Sequence, residues 1–325
     1  MRTSTTIQGP FKKLLLVGTT ICWVSYTAMA QAHGFAGRRF FPATIATDDP
    51  FMNDEAGLVF GNTWEPDIDT HTDTTISGEW AKTITPTFGF SIGNAFHHIN
   101  PKEGKDINGF ENLDVGAKWQ FYTNDPNETI LSIGLNAEVG GTGSAHLGVD
   151  PFSTVSPTFF FGQGMGFLPE SMKMLRPFAV TGTLSADIPT VSTIESTGKK
   201  PATNLSWGIS LQYNLQYLQS FVRDMGLPAP FNRMIPLVEF PMTTCVNRDC
   251  DGQTTGFVAP GVIWFGKHTQ FGLEAQIPID DRSGHDAGIM AQVHFFIDDI
   301  FPDSLGRPLI GAKKAYPAWW GGSRE

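Results

Sequence analysis

The sequence predicts an all-β protein, one antiparallel transmembrane β-barrel of about twelve strands. Three observations predict it. Apolar residues recur at every second position in many segments. Breaks rich in Asn, Asp, Gly and Pro separate those segments. Beyond the N-terminus no run approaches the roughly twenty apolar residues that a membrane helix needs.

The clearest segment is 112-NLDVGAKWQFY-122. Leu113, Val115, Ala117, Trp119 and Phe121 alternate with Asp114, Gly116, Lys118 and Gln120, and successive strand side chains point to opposite faces. The segment 128-ETILSIGLNAEVGG-141 repeats the pattern, with Leu131, Ile133 and Leu135 against Ser132, Gly134, Asn136 and Glu138. So do 204-NLSWGISLQYNL-215 and 288-GIMAQVHFFI-297. Noisier versions lie at 86–98, 176–188, 253–266 and 270–278, and weaker ones at 55–64, 72–83, 155–167 and 233–245. Turn chemistry marks 123-TNDPNE-128 as a short connection, and 99–109 and 189–203 as long ones. Short turns alternating with long loops fit a membrane barrel. Two connections read as helical, 169–175 and 217–226.

The N-terminus reads as a secretory signal. Arg2, Lys12 and Lys13 precede an apolar run from Leu14 to Val24, and 28-AMA-30 offers a cleavage site, with Ala32 as the alternative cut. Removing 1–30 takes the formal net charge from −10 to −13, a poor balance for binding nucleic acid. The expected organisation is a signal peptide (1–30), a non-periodic arm (31–54), the barrel (55–298) and a Pro-, Gly- and Trp-rich tail (299–325). The last periodic strand ends near Phe296, so either the assembly signal is internal or the tail folds back into the lumen.

Alternation alone does not say which face is outside, because a soluble barrel alternates with its apolar side inward. The polar face decides. It carries mostly Gly, Ser, Thr, Asn and Gln, whereas a water-facing exterior carries dense Lys and Glu. Trp119 with Phe121, Tyr213, and Trp264 with Phe265 sit at strand ends on the apolar face, like interfacial girdles. The apolar face is therefore placed against lipid. Asp114, Lys118, Gln120, Asn136, Glu138, Gln212, Asn214, Glu274, Gln276, Gln292 and His294 are placed in the lumen.

Segments 110-FENLDVGAKWQFY-122 and 271-FGLEAQIPI-279, with the exported N-terminus and the strand pattern over about 84–298, resemble outer-membrane barrels of the "MetA-pathway of phenol degradation" type and their uncharacterised proteobacterial relatives. The resemblance implies an outer-membrane protein linked to uptake of small, often aromatic, compounds. It carries over no site residues.

Other motifs carry less. After signal cleavage Cys245 and Cys250 remain, in 245-CVNRDCDG-252. A disulfide closing a small hairpin loop is expected, with metal binding by the same pair as the alternative. His33 near the mature N-terminus is a candidate Cu(II) ligand. Asp67, Asp69, His71 and Asp73 share a face if extended, as a cation site or a solvated acidic edge. Ser–His pairs in 143-GSAH-146 and 283-SGHD-286 supply the residue types of a membrane-edge hydrolase, without a nucleophile-elbow motif. No enzyme activity and no cofactor are expected. The expected partners are outer-membrane lipid of a Gram-negative cell and a small-molecule solute. The expected function is passage or binding of that solute through a lumen of small polar and acidic residues. The alternative is a barrel plugged by 31–54 or 299–325 that assists an export or metal-handling system. A hydrolase ranks last.

Overall fold

In the computed structural model, residues 34–195, 197–248, 250 and 252–311 are described. The expected signal peptide, His33 and the end of the tail lie outside them. Fifteen strands form among the described residues. A two-residue pair, β1 (Phe35–Ala36) and β2 (Arg39–Phe40), precedes β3 (Glu55–Trp64), β4 (Thr70–Thr85), β5 (Phe88–Pro101), a short β6 (Ile107–Phe110), β7 (Leu113–Asn124) and β8 (Thr129–Val139). Then come β9 (Thr154–Gly164), β10 (Phe178–Pro189), β11 (Asn204–Tyr213), β12 (Met234–Cys245), β13 (Thr254–Phe265), β14 (Thr269–Pro278) and β15 (Gly288–Phe296).

Twelve of these strands make the wall. Each pairs antiparallel with its neighbour in the wall, β5 meets β7 directly, and β6 pairs beside the far end of β5. The ring closes where β15 pairs β3, from Gly288↔Thr63 to Phe296↔Glu55. The fold is a closed twelve-stranded antiparallel barrel. No described helix is long and apolar enough to cross a membrane.

One end of the barrel holds the start of β3 and the end of β15, and we call it the terminal end. Its connections at 86–87, 125–128 and 266–268 are short. Two others, 165–177 and 214–233, are longer and carry the short helices. These are a 3-10 turn at Glu170–Leu175, and an α turn at Leu215–Tyr217 continued by a π turn at Leu218–Val222. The opposite, far end carries the remaining loops.

The alternation of β7 becomes two faces. Trp119 is 49% exposed on the outside, while Lys118 points inward to Asp48. Leu58, Phe60, Ile76, Phe90, Leu135 and Leu273 are similarly exposed on other strands. A belt of large apolar side chains around a closed sheet is not stable in water and matches lipid. Aromatic pairs lie toward the terminal rim: Phe178–Tyr213 at 4.6 Å, Trp264–Phe271 at 5.8 Å and Trp119–Phe121 at 6.0 Å. A register shift between Gln120 and Tyr122 leaves both Phe121 and Tyr122 exposed.

One girdle assignment is corrected. Phe265 does not share the outer face with Trp264. Strand geometry sends neighbours to opposite sides, and Phe265 is buried inside, 4.7 Å from Phe40. It belongs to an inward apolar cluster with Phe35, Phe40, Ile235, Leu237, Ile263 and Phe296. A second cluster joins Ala36, Phe41 and Phe51 to Ile130 and Ala179. Both clusters sit in the barrel interior, and both are built by residues 35–51 against the wall.

The tail does not fold back into the lumen over its described part. Leu309 and Ile310 donate backbone hydrogen bonds to Thr83 and Ile84 at the terminal rim. Lys82 Nζ donates to the carbonyls of Leu305 and Arg307.

Phe40→Ala deletes the side chain around which the first cluster forms. A cost of about 3 to 5 kcal/mol is expected. It is checked by the denaturant midpoint of the refolded protein, which should fall relative to wild type.

Candidate functional site

The lumen is occupied by residues 34–54 of the same chain. The segment begins with the β1–β2 hairpin. Gly37 turns it at φ 59°, and a Cβ there would lie 2.3 Å from the Asp125 carbonyl oxygen. Gly37 N–H donates to Asp125 Oδ1 at 2.9 Å. Arg39 is fully buried. Its Nε donates to Glu128 Oε2 at 3.1 Å, Nη1 donates to the Pro177 carbonyl at 2.8 Å, and Nη2 donates to the Arg176 carbonyl. The guanidinium lies 3.9 Å from the Tyr217 ring centroid, and Tyr217 Oη donates to Glu128 Oε1 at 2.7 Å. Burial first, and then that hydrogen bond, push the Tyr217 hydroxyl up to about 12. A buried charge persists only when paired and hydrogen-bonded, and Arg39 meets both conditions.

Farther along, the backbone of the segment is held by inward side chains of the wall. Glu239 accepts from Ile45 N at 3.0 Å, Ala46 N at 2.6 Å and Thr47 Oγ1 at 2.7 Å. Gln270 Nε2 donates to the Ala43 carbonyl at 2.6 Å, and Gln292 Nε2 donates to the Thr44 carbonyl at 3.0 Å. Ser132 Oγ donates to the Pro50 carbonyl. Lys118 Nζ donates to Asp48 Oδ1 and to the Asp49 carbonyl, both at 2.9 Å. Asp54 accepts from Lys82 Nζ at 2.7 Å and from Thr83 N and Oγ1 at 2.8 and 2.7 Å. An irregular segment crossing a membrane barrel needs partners of this kind, because its polar backbone cannot be left dry and unpaired.

The structure distributes the sequence-predicted lumen residues around this segment. Lys118 and Gln292 grip it directly. His294 Nε2 lies 3.2 Å from Glu55 Oε2. Asp114 and Asn136 border a cavity beside Lys118. Glu138 Oε1 accepts from Asn112 Nδ2 at 2.7 Å. Gln120 Nε2 donates to Thr123 Oγ1 at 2.7 Å. Gln276 lies against Met290 and Thr63. Gln212 is buried against Thr181 and Ser210. Asn214 stands past the end of β11, where its Oδ1 caps the helical turn at Tyr217 N. Glu274 is 1% exposed, over Gly261 and beside Glu239. Glu239, Gln270 and Arg39, which do most of the holding, are absent from the sequence-derived set. The signal for Gln270 was its place on the polar face of 270–278, in line with Glu274 and Gln276, and for Glu239 it was a lone acid inside a largely apolar stretch. For Arg39 there was none.

Water-sized space remains on both sides of the segment. Between it and the wall of β3, β4, β5 and β7 lies a cavity of about 380 Å³ bordered by Asp48, Asp49, Glu55, Glu79 and Asp114. A smaller one of about 190 Å³ adjoins it at Lys118. Against β10–β13 a cavity of about 400 Å³ is bordered by Thr47, Asp48, Ser206, Thr243, Thr255 and Arg282. The first side is strongly acidic and the second mostly neutral hydroxyl.

The remaining motifs resolve into local structure. Cys245 and Cys250 are disulfide-bonded in the β12–β13 connection. Ser144 Oγ accepts from Phe110 N, and His146 Nε2 meets the Asn108 carbonyl, so the two form no dyad. Ser283 Oγ donates to Asp280 at 2.8 Å. Asp67 accepts from Asp69 N and Thr70 Oγ1 within a turn, so 67–73 is not one extended face. His97 lies between Asp73 and Glu111, 2.9 Å from each. Among the described residues no group of three or more His, Cys, Asp or Glu is arranged to hold a metal. His33 lies outside them.

No protein-family model matches the chain, and no curated protein matches it. Solved structures do resemble it. A NanC porin aligns over 74% of this chain and 98% of its own, at 6% identity and TM-score 0.46. An outer-membrane channel from Pseudomonas putida F1 aligns over 79% and 98%, at 12% identity and TM-score 0.47. A KdgM porin aligns over 74% and 98%, at 9% identity and TM-score 0.40.

Glu239→Ala removes the acceptor of three buried plug donors, each costing about 1–3 kcal/mol when left unpaired. Amide exchange at Ile45 and Ala46 is expected to accelerate at least tenfold while the strand amides stay protected. Hydrogen-exchange mass spectrometry of the refolded protein checks this.

Proposed function

We propose that the protein is an outer-membrane passage for a small solute, constricted by its own N-terminal segment and favouring cations. One observation carries the reading. Residues 34–54 run through the lumen and leave a cavity faced by Asp48, Asp49, Glu55, Glu79 and Asp114, with Lys118 as the neighbouring cation. Charged side chains at a constriction select ions by their field, and in a narrow, poorly screened lumen that field exceeds its value in water. An excess of carboxylates attracts cations and repels anions. The apolar belt and the signal-like sequence of the N-terminus support placement in the outer membrane of a Gram-negative cell.

The plugged accessory barrel is the second reading, and the burial of Arg39 and Glu239 favours it. Both readings share the occupied lumen. They differ in whether solute passes the segment or the segment must first leave.

The test is planar-bilayer conductance of the refolded mature protein and of a variant lacking 34–54. Small cation-preferring steps from the wild type, and much larger steps from the deletion, support a constricted passage. A silent wild type with a conducting deletion favours the plugged barrel. Equal conductance from both refutes the constriction. Glu79→Gln with Asp114→Asn keeps the segment in place and is expected to move the reversal potential toward zero.

A further inference from the structure

The connection 165–177 is long for the terminal end, and its apolar residues are not hidden. Phe167 is 54% exposed, Met172 43%, Met174 44% and Leu175 41%. The hydroxyl of Tyr213 donates to the Met174 carbonyl at 3.2 Å. Tyr213 faces outward, since it stacks edge-on against Phe178, which is itself exposed on the outer face. The strand residues next to each face inward: Ala179 and Thr181 are buried, and Gln212 bonds Thr181. The exposed residues of the turn thus continue the lipid-facing belt past the end of β10 and β11. Lys173 and Arg176 flank them and share Glu170.

We infer that this turn is seated in the lipid headgroup region of the leaflet on the terminal side. Met172, Met174 and Leu175 enter the acyl boundary, and Lys173 and Arg176 meet lipid phosphates. Continuity with the belt identifies lipid as the occupant. An apolar face bordered by basic residues is the composition of an interfacial segment, and a tyrosine hydroxyl marks the headgroup level on its wall side. The inference rests on the membrane reading of the barrel, and its test separates the two.

The test places one nitroxide at Met172→Cys or Met174→Cys, with the native disulfide intact, in phosphatidylethanolamine–phosphatidylglycerol vesicles. Collision with oxygen and with a water-soluble nickel chelate gives depth. Labels at Leu135→Cys and Lys199→Cys calibrate the belt and the far-end water. The expected result is oxygen-dominated collision at 172 and 174, near the Leu135 value and at least fivefold above Lys199 in the oxygen-to-nickel ratio. A ratio at 172 and 174 equal to that at Lys199, with Leu135 in lipid, overturns this inference and leaves the barrel reading standing. A water-like ratio at Leu135 overturns the membrane reading itself. If the cysteine variants do not insert, hydroxyl-radical oxidation of the wild type in the same vesicles reads the contrast. Lipid seating predicts Met172 and Met174 at least tenfold slower than in the urea-unfolded chain. Their half-exposure alone gives about twofold, and that result counts against the inference.

Discussion

Everything else in this structure depends on the seam at which β15 pairs β3. In lipid, a sheet with an open edge leaves a row of unpaired N–H and C=O groups, each costing several kcal/mol. Closing twelve strands removes that edge and fixes the inside of the protein at the same moment. A barrel of this width has an interior that wall side chains do not fill by themselves. The inward face is also built largely from small polar groups. The space must hold water, a solute or more protein, and here the protein's own residues 34–54 take much of it.

How that segment is held follows from two unlike kinds of contact. Phe35, Phe40 and Phe41 bury apolar surface against Ile235, Ile263, Phe265 and Ile130. This contribution is large, at roughly 25 cal/mol per Å², but it does not specify position closely. The buried polar bonds do. Glu239 matches three donors within 45–47, and Arg39 matches Glu128 and two carbonyls at the rim. A shift of one residue would leave each of these buried groups unpaired. Lys118 joins the two halves of the account, because the lysine that holds Asp48 and the Asp49 carbonyl also stands at the acidic cavity. The grip on the segment and the charge of the passage therefore share a residue.

The wall was legible in the sequence because its signal is local. A period of two along 113–121 or 131–139 needs no knowledge of the partner strand. The plug was not, because its signal is distributed. Residues 34–54 have no period, and they take their shape from side chains on six or more other segments. The noise in 233–245 and 253–266 was itself the trace of the plug: Ile235, Leu237, Ile263 and Phe265 are apolar on the inner face because Phe35 and Phe40 press on them. Read without the plug, Phe265 looked like a girdle residue beside Trp264. Glu239 in 234-MIPLVEFPMTTC-245 has no local partner that would mark its role, since its three donors lie about 190 positions earlier.

The central claim is that residues 34–54 lie inside the barrel in one register. Gly208 on β11 tests it, because a Cβ built there falls 3.1 Å from Thr47 Cβ, a few tenths of an ångström short of the roughly 3.5–4.5 Å that a disulfide bridges. The measurement is mass spectrometry of the oxidised Thr47→Cys, Gly208→Cys double variant after refolding into lipid. The account predicts a 47–208 crosslink in most molecules, beside the native Cys245–Cys250 bond. Free thiols at both positions, labelled by a bulky water-soluble maleimide, would contradict it and put the segment outside the lumen.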